Sequence, residues 1–405
     1  MTRKPELMAP AGDWTMLHAV INNGADAVYF GIDNLNMRVK AGNFTIDELP
    51  KITELCKNHN VKSYLTVNII IYEHELKLVK DTISKAKECG IDAIICWDFA
   101  VIQLCKEIGI PFCISTQASV ANSSAANFFK NLGAKRVVAA RECSLKAIKE
   151  IKNKTDIEIE AFVHGAMCIA VSGRCFMSHH LFGKSANRGE CVQPCRREFE
   201  VVDNITHQPV MLGEDYVLSP KDLCSIEYID KLIEAGIDSF KIEGRKRSPE
   251  YAAKSVEVYR KAIDLYFEGK LTEDIKKDFL LQLEKVYSRG FSSGFYFRQP
   301  SSHEYANIYG SKATKKKVFI GKVLNYYKDP KIAYVNLETG NVKLEDDILI
   351  IGPTTGVVEV KVKNLMDELV VINEAKKGER ITFPCDVLVR PRDAVYKIVD
   401  VEEEY

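Results

Sequence analysis

The feature that most constrains this chain is a recurring unit, seen in CGIDAIICWD, LGAKRVVAARE and AGIDSFKIEG: a glycine ends a helix-period segment and a short apolar run follows at once. Glycine at that point lets a helix leave in the left-handed conformation, and an apolar run straight after it is a buried strand. Strands are predicted at 7–9, 27–31, 63–68, 93–98, 112–117, 136–141, 157–164 and 239–243, with helices at 14–23, 46–58, 75–89, 100–108, 123–132 and 145–152. Eight strands in this rhythm predict an α/β fold, a (β/α)8 TIM-like barrel, rather than an open doubly wound sheet.

Sites of that fold sit at the C-terminal strand ends. The predicted ends carry Asn68, Asp98, Gln117, Arg141, Glu142, His164, Glu243 and Arg245, a polar rim of mixed charge. Between the seventh and eighth strands the rhythm breaks into an insertion, 166 to about 220, launched from that face and rich in cysteine. After the eighth strand, Ser248-Pro249-Glu250 reads as the cap and first turn of a helix running to about Glu268, followed by a second helix from Thr272 to Tyr287. The predicted organisation is a barrel with its insertion and trailing helices over 1–287, an aromatic and basic linker over 288–317, and a small C-terminal β-barrel domain over 318–405, where short strands recur about every ten residues with turn glycines between them.

The insertion opens HGAMCIAVSGRCFMSHHLFGKSANRGECVQPC, His164 to Cys195. Cys168, Cys175, Cys191 and Cys195 are separated by six, fifteen and three residues, and Cys224 lies 28 further on. The N-terminus lacks the apolar core of a secretion signal and the longest apolar runs, such as VNIII at 67–71, are too short for a bilayer, so the expected compartment is cytoplasmic, with no membrane partner. Thiols stay reduced there, so twelve cysteines are not read as disulfides. A redox dithiol lacks its C-x-x-C. Structural zinc favours two tight pairs, which this spacing does not supply. Loose spacing between glycine-rich turns suits an iron–sulfur cluster best. A cysteine nucleophile would need His164, His179 or His180 as base, and no linear spacing pairs them. Lysine plus arginine equals aspartate plus glutamate at 56 each, so a nucleic-acid site has to be local.

EAFVHGAMCIAVSGRCFMS (Glu160 to Ser178), LMAPAGDWTMLHAVINNGADAVYFG, FKIEGRKRS (Phe240 to Ser248) and YSRGFSSGFY (Tyr287 to Tyr296) together resemble the U32 peptidase family, the collagenase-like proteins, over nearly the whole chain. Within it the chain is most similar to the tRNA 5-hydroxyuridine hydroxylation proteins. The resemblance implies a [4Fe-4S] cluster, prephenate as hydroxyl source and co-substrate, and oxygen-independent hydroxylation of the wobble uridine of tRNA. A peptidase and a hydroxylase of ribosomal RNA stay open as alternatives, as does a shorter paralogous partner. Cys168, Cys175 and Cys191 match the family's metal positions, with the fourth at Cys224 or Cys195 and the expectation leaning to Cys224. For the dicarboxylate, Arg141 and Arg245 are the expected guanidinium forks, with Arg38 third; His164 is the expected proton carrier, and Gln117 and Glu243 the positioning groups. For RNA, Lys246, Arg247, Arg289, Arg298, Lys315, Lys316 and Lys317 are the expected phosphate contacts, with Phe291 and Phe295 as stacking rings.

Overall fold

The protein was analysed as a computed structural model that describes residues 3–39, 41–197, 201–202, 204–206, 209–210, 218–306, 310–367 and 370–401. Seven parallel strands, β1 (Glu6–Pro10), β2 (Ala27–Phe30), β3 (Lys62–Val67), β4 (Ala93–Cys96), β5 (Phe112–Ile114), β6 (Arg136–Val138) and β7 (Glu158–Gly165), follow one another round the barrel. The closing strand, Ser239–Ile242, pairs with both ends: Phe240 lies opposite Leu7 on β1 and Ala161 on β7. The eight-stranded TIM-like barrel read from the sequence is therefore present.

The repeat that predicted it has a physical basis beyond the helix stop. In NGAD, CGID and AGID the glycines (Gly24, Gly90, Gly236) take φ of 92°, 77° and 77°. The aspartate two residues later then accepts a backbone N–H from the neighbouring strand: Asp26 from Leu7, Asp92 from Ser63 and Asp238 from Ile159, each at 2.8 Å. Each unit thus caps its own helix and pins the start of an adjacent strand. The helices cover the outside, and Asp13, Asp98, Asn122 and Ser144 cap four of them through their side chains.

Inside the barrel, the N-terminal end holds charge rather than hydrocarbon. Arg136, 2% exposed, bonds Glu6 at 2.7 Å, Glu158 at 2.8 Å and Glu160 at 3.0 Å, while Lys241 bonds Glu160 at 2.8 Å and Lys62 bonds Glu6 at 2.6 Å. Three cations meet three carboxylates, so the layer is neutral; it stays put because every member has a partner, whereas a lone buried charge there would cost several kcal/mol.

The insertion returns to the barrel through a strand that the sequence pattern does not announce. Asp222–Cys224 pairs antiparallel with the end of β7 (Leu223 with Gly165, Cys224 with His164) and parallel with Phe291–Ser292. Phe291 is thus held in a ribbon on the barrel, not in a free linker. After helices Pro249–Phe267 and Glu273–Glu284, the C-terminal domain begins with a long bent strand, Lys315–Tyr327, so Lys315, Lys316 and Lys317 are strand residues rather than linker residues. That strand pairs with Ala394–Asp400 through its first half and with Ile332–Leu337 through its second, and its register shifts between the halves let one antiparallel sheet curl round a single core of Ile320, Val335, Ile350, Val358, Ile381 and Val395. Leu349 and Val357 of this domain pack on Ala19 and Ala253 of the barrel helices. Among the described residues no helix is long and apolar enough to cross a membrane.

Candidate active site

A cavity opens at the C-terminal ends of the barrel strands. Its floor comes from Tyr29, Thr66, Asn68, Gln117, Arg141, Phe162, Lys241, Glu243 and Arg245; its roof is the insertion, through Met167, Cys168, Cys175, Met177, Ser178, Cys191, Pro194, Cys195 and Arg196. The roof is anchored at several points. Arg188 forms a fork with Glu75 and lies 4.8 Å over the Tyr72 ring, Arg174 donates to Ser119 at 3.0 Å, and Arg196 donates to Ser219 at 2.9 Å and to the Pro220 carbonyl at 2.6 Å. Gly189, at φ 84°, passes so close that a Cβ would stand 2.1 Å from the Asn36 carbonyl; only glycine allows that approach.

Four thiols meet in this roof. Cys168, Cys175, Cys191 and Cys195 all line the cavity, and the Cys195 sulfur, which burial pushes above the ordinary thiol value while Arg196 opposes, feels the charge of the other three. Backbone and side-chain donors already point at sulfur: Met177 N–H at 3.3 Å from Cys175 Sγ, Gln193 N–H at 3.4 Å from Cys191 Sγ, and Ser178 Oγ at 3.8 Å from the same sulfur. Such donors stabilise negative sulfur, which is what a metal-bound thiolate is. Among the described residues no three His, Cys, Asp or Glu side chains are gathered tightly enough to hold a single metal ion.

Below the thiols lies an excess of guanidinium. Glu243 bonds Arg38 at 3.1 Å; burial pushes its carboxyl up, but Arg38, Arg141 and Arg245 outweigh that and hold it below the ordinary carboxylate value. Arg245, 3% exposed, donates among the described residues only to neutral oxygens, on Asn43 (2.6 Å), Asn36 (2.9 Å) and Thr66 (3.2 Å), and burial pulls it down to about 10. Arg141 lies 4.2 Å over the Phe162 ring and donates to the Ala166 carbonyl at 3.1 Å. Among the described residues the Nε atoms of Arg141 and Arg245 have no hydrogen-bond partner. One carboxylate set against three guanidinium groups makes an anion receptor. Gln117 lies on the floor, accepting from Ser115 Oγ.

Several expected residues lie elsewhere. Cys224 is outside the cavity: it is buried on the ribbon, 3.8 Å from the Tyr259 hydroxyl, and burial pushes its thiol up to about 12. Its place with the other three is taken by Cys195, because the ribbon strand pairs along the far side of β7. His164 is also outside, 1% exposed in a box formed by Tyr251, Tyr259 and Phe291 at 5.5–5.7 Å, with burial pulling it down to about 4. It is not among the residues that line this cavity, so the structure does not bring the expected proton carrier to the thiols. Arg247 and Arg289 turn inward to share Asp222, which is 1% exposed, so they do not present their charge to a phosphate. Phe291 and Phe295 pack against the barrel core. Arg298 is exposed beside Glu304, Lys315 pairs with Asp400, and Lys317 pairs with Glu250. Lys246 remains at the cavity, its Nζ 2.9 Å from the Cys191 carbonyl. Sequence reasoning missed Lys241, Tyr29 and Arg196, whose positions follow from the pleat and the return of the insertion.

The sequence profile of Peptidase family U32 matches residues 12–305. This chain belongs to peptidase family U32. Its U32 relatives span it almost end to end. An uncharacterized protease of Methanocaldococcus jannaschii is 43% identical over 401 residues, 96% of this chain and 97% of that one. A collagenase of Porphyromonas gingivalis is 40% identical over 410 residues, 98% and 99% of the two chains. The tRNA hydroxylation protein P1 of Bacillus subtilis is 39% identical over 376 residues, 91% and 88%. The U32 resemblance read from the cysteine segment and its companions is thereby established.

Proposed function

We propose that this U32 chain is a cytoplasmic enzyme that hydroxylates the wobble uridine of tRNA to 5-hydroxyuridine without dioxygen, holding a [4Fe-4S] cluster on Cys168, Cys175, Cys191 and Cys195 and taking its hydroxyl from prephenate. The observation that carries the reading is the convergence of four thiols over an arginine-lined floor, in a chain 39% identical to a tRNA hydroxylation protein. When bound, such a cluster supplies redox chemistry that side chains lack.

The remaining work falls to the chain itself. Arg141 and Arg245 offer forks for the carboxylates of a small dianion. Glu243 holds Arg38 in place at 3.1 Å and cancels one of the three guanidinium charges, which leaves an excess of two for a dicarboxylate. The Met177 and Gln193 amides meet negative charge on sulfur. The insertion roof keeps bulk water off the floor, which strengthens each of these interactions.

A cysteine-peptidase reading, which the collagenase name of one relative raises, needs an imidazole beside a thiol. Among the described residues none that lines the cavity is a histidine. Hydroxylation is therefore the better-supported activity. Its test is mass spectrometry of tRNA nucleosides from a deletion strain, with iron and acid-labile sulfide measured in the anaerobically purified protein. Loss of 5-hydroxyuridine and about four irons per chain are expected; unchanged nucleosides would remove the assignment.

A further inference from the structure

We propose that the turn carrying Phe176, at the edge of the cavity, is the platform on which a nucleobase of the RNA substrate stacks, with Arg174, Lys184 and Arg197 meeting the flanking phosphates. The proposal rests on the reading above that RNA is the substrate, and it moves the RNA surface away from 288–317, where Phe291, Phe295 and Arg289 turn inward.

Three observations carry it. Phe176 is 75% exposed, the most exposed phenylalanine among the described residues, and it sits between Cys175 and Met177, which both line the cavity. Its position is built rather than incidental: Met177 N–H bonds Cys175 Sγ across it, so the ring stands at the apex of a turn closed by sulfur. An exposed aromatic costs hydration free energy in every molecule that carries it, and an aromatic face beside cations is how single-stranded bases are held.

The neighbourhood has the matching charge. From 166 to 197 the insertion contains five basic residues (Arg174, Lys184, Arg188, Arg196, Arg197) and one acid, Glu190; five further acids (Glu198, Glu200, Asp203, Glu214, Asp215) follow before 220, so the cationic character belongs to this first part and not to the insertion as a whole. Arg188 and Arg196 are used to anchor the roof, whereas Arg174 and Arg197 are exposed and meet no carboxylate among the described residues, and Lys184 has Glu190 only at 3.9 Å. Arg197 already lies 4.4 Å over the Phe182 ring, a second stack on the same roof. A roof that carries exposed cations and aromatic rings beside the cavity fits an unpaired loop whose target base is splayed into the cavity while its neighbour stays stacked outside. A protein partner would also cover apolar surface, but the exposed cations Arg174, Lys184 and Arg197 on the same roof favour a polyanion.

The test measures binding of a labelled, unmodified anticodon stem-loop RNA to the anaerobically purified full chain by fluorescence anisotropy, alongside iron content, melting temperature and oligomeric state. Phe176→Ala and Phe176→Leu are expected to raise Kd by about tenfold or more, the loss of one base stack, with iron and melting unchanged, and Phe176→Trp to restore it. Phe176→Leu keeps the apolar bulk of the turn, so its loss of affinity reports the aromatic face and not folding. Arg174→Ala is expected to flatten the slope of log Kd against log salt by about 0.7, one phosphate contact on a single strand. Wild-type affinity in Phe176→Leu overturns the platform while leaving the hydroxylase reading intact. A wild-type chain that binds no RNA overturns both. RNA affinity unchanged in the variants but altered self-association or loss of a co-purifying protein shows a protein-docking surface and overturns the proposal.

Discussion

Cys195 and Cys224 carry the same thiol, and their surroundings alone assign them different work. Cys195 shares a cavity and an electrostatic neighbourhood with three other sulfurs and with Arg196, whereas Cys224 is sealed among Tyr259 and the β7 backbone. Cys195→Ser is therefore expected to lower the iron and sulfide content of the anaerobic protein severalfold, and Cys224→Ser to leave both at the wild-type value; the reverse pattern would return the fourth position to Cys224. His164 gives a second contrast. Burial, assisted by Arg247 and opposed by Asp222, takes it from its ordinary 6.5 to about 4, so the unfolded chain binds a proton there over a range where the native chain does not. Native stability is complete above pH 6.5 and falls as the pH drops toward 4, by about 3 kcal/mol in all. In His164→Phe, urea titrations at pH 7 and pH 5 are expected to differ by less than those of the wild type. At this scale the clustering of four thiols was legible in the sequence, but Cys195 could not be ranked against Cys224: which of them reaches the cavity depends on how a three-residue strand pairs with β7, and linear spacing carries no such information.

Elements were more legible than residues. All eight barrel strands lie within the predicted ranges or a few residues of them, because each is an apolar run, five of them follow a helix-ending glycine (Gly24, Gly90, Gly109, Gly133 and Gly236), and in three of these units an aspartate also pins the adjacent strand. The ribbon Asp222–Cys224 with Phe291–Ser292 was not legible, since strands of three and two residues are too short to show a period. Once paired, however, the ribbon carries a disproportionate part of the local order. Asp222, 1% exposed, holds Arg289 and Arg247 from two later segments, so one carboxylate joins the end of the insertion, the loop after the closing strand and the approach to the C-terminal domain. Asp222→Asn leaves two largely buried guanidinium groups facing a neutral amide, and a destabilisation of about 3 kcal/mol or more is expected in chemical denaturation. Arg298→Ala, which removes a partner 66% exposed beside Glu304, is expected to cost less than about 1 kcal/mol. Equal costs for the two would mean that the ribbon is not the tie between these segments.

At the scale of the whole molecule, 56 cations balance 56 carboxylates, so no long-range field draws a polyanion toward the protein. Attraction has to arise where cations are locally grouped, and outside the cavity floor two such places stand out among the described residues. One is the cavity roof with Arg174, Lys184 and Arg197. The other is a groove between the barrel helices and the C-terminal sheet, lined by Lys254, Lys285, Lys315, Lys316, Lys317 and Lys361. The groove also contains Glu250, Asp278, Asp347 and Glu359, and Lys254, Lys315, Lys317 and Lys361 each pair with an acid. Its charge is largely spent within the protein. The two surfaces therefore predict different salt responses. Three phosphate contacts at the roof give a slope of log affinity against log salt of about −2, at about 0.7 per contact on a single strand. Recruitment of the groove as well would steepen it to about −4 or beyond. Anisotropy titrations over a range of salt concentrations are expected to give the shallow slope, and the joint substitution of Lys315, Lys316 and Lys317 by alanine to leave it unchanged. A slope that is steep in the wild type and shallow in the triple variant would show that RNA reaches across the C-terminal domain, and that the ion pairs along the groove open to receive it.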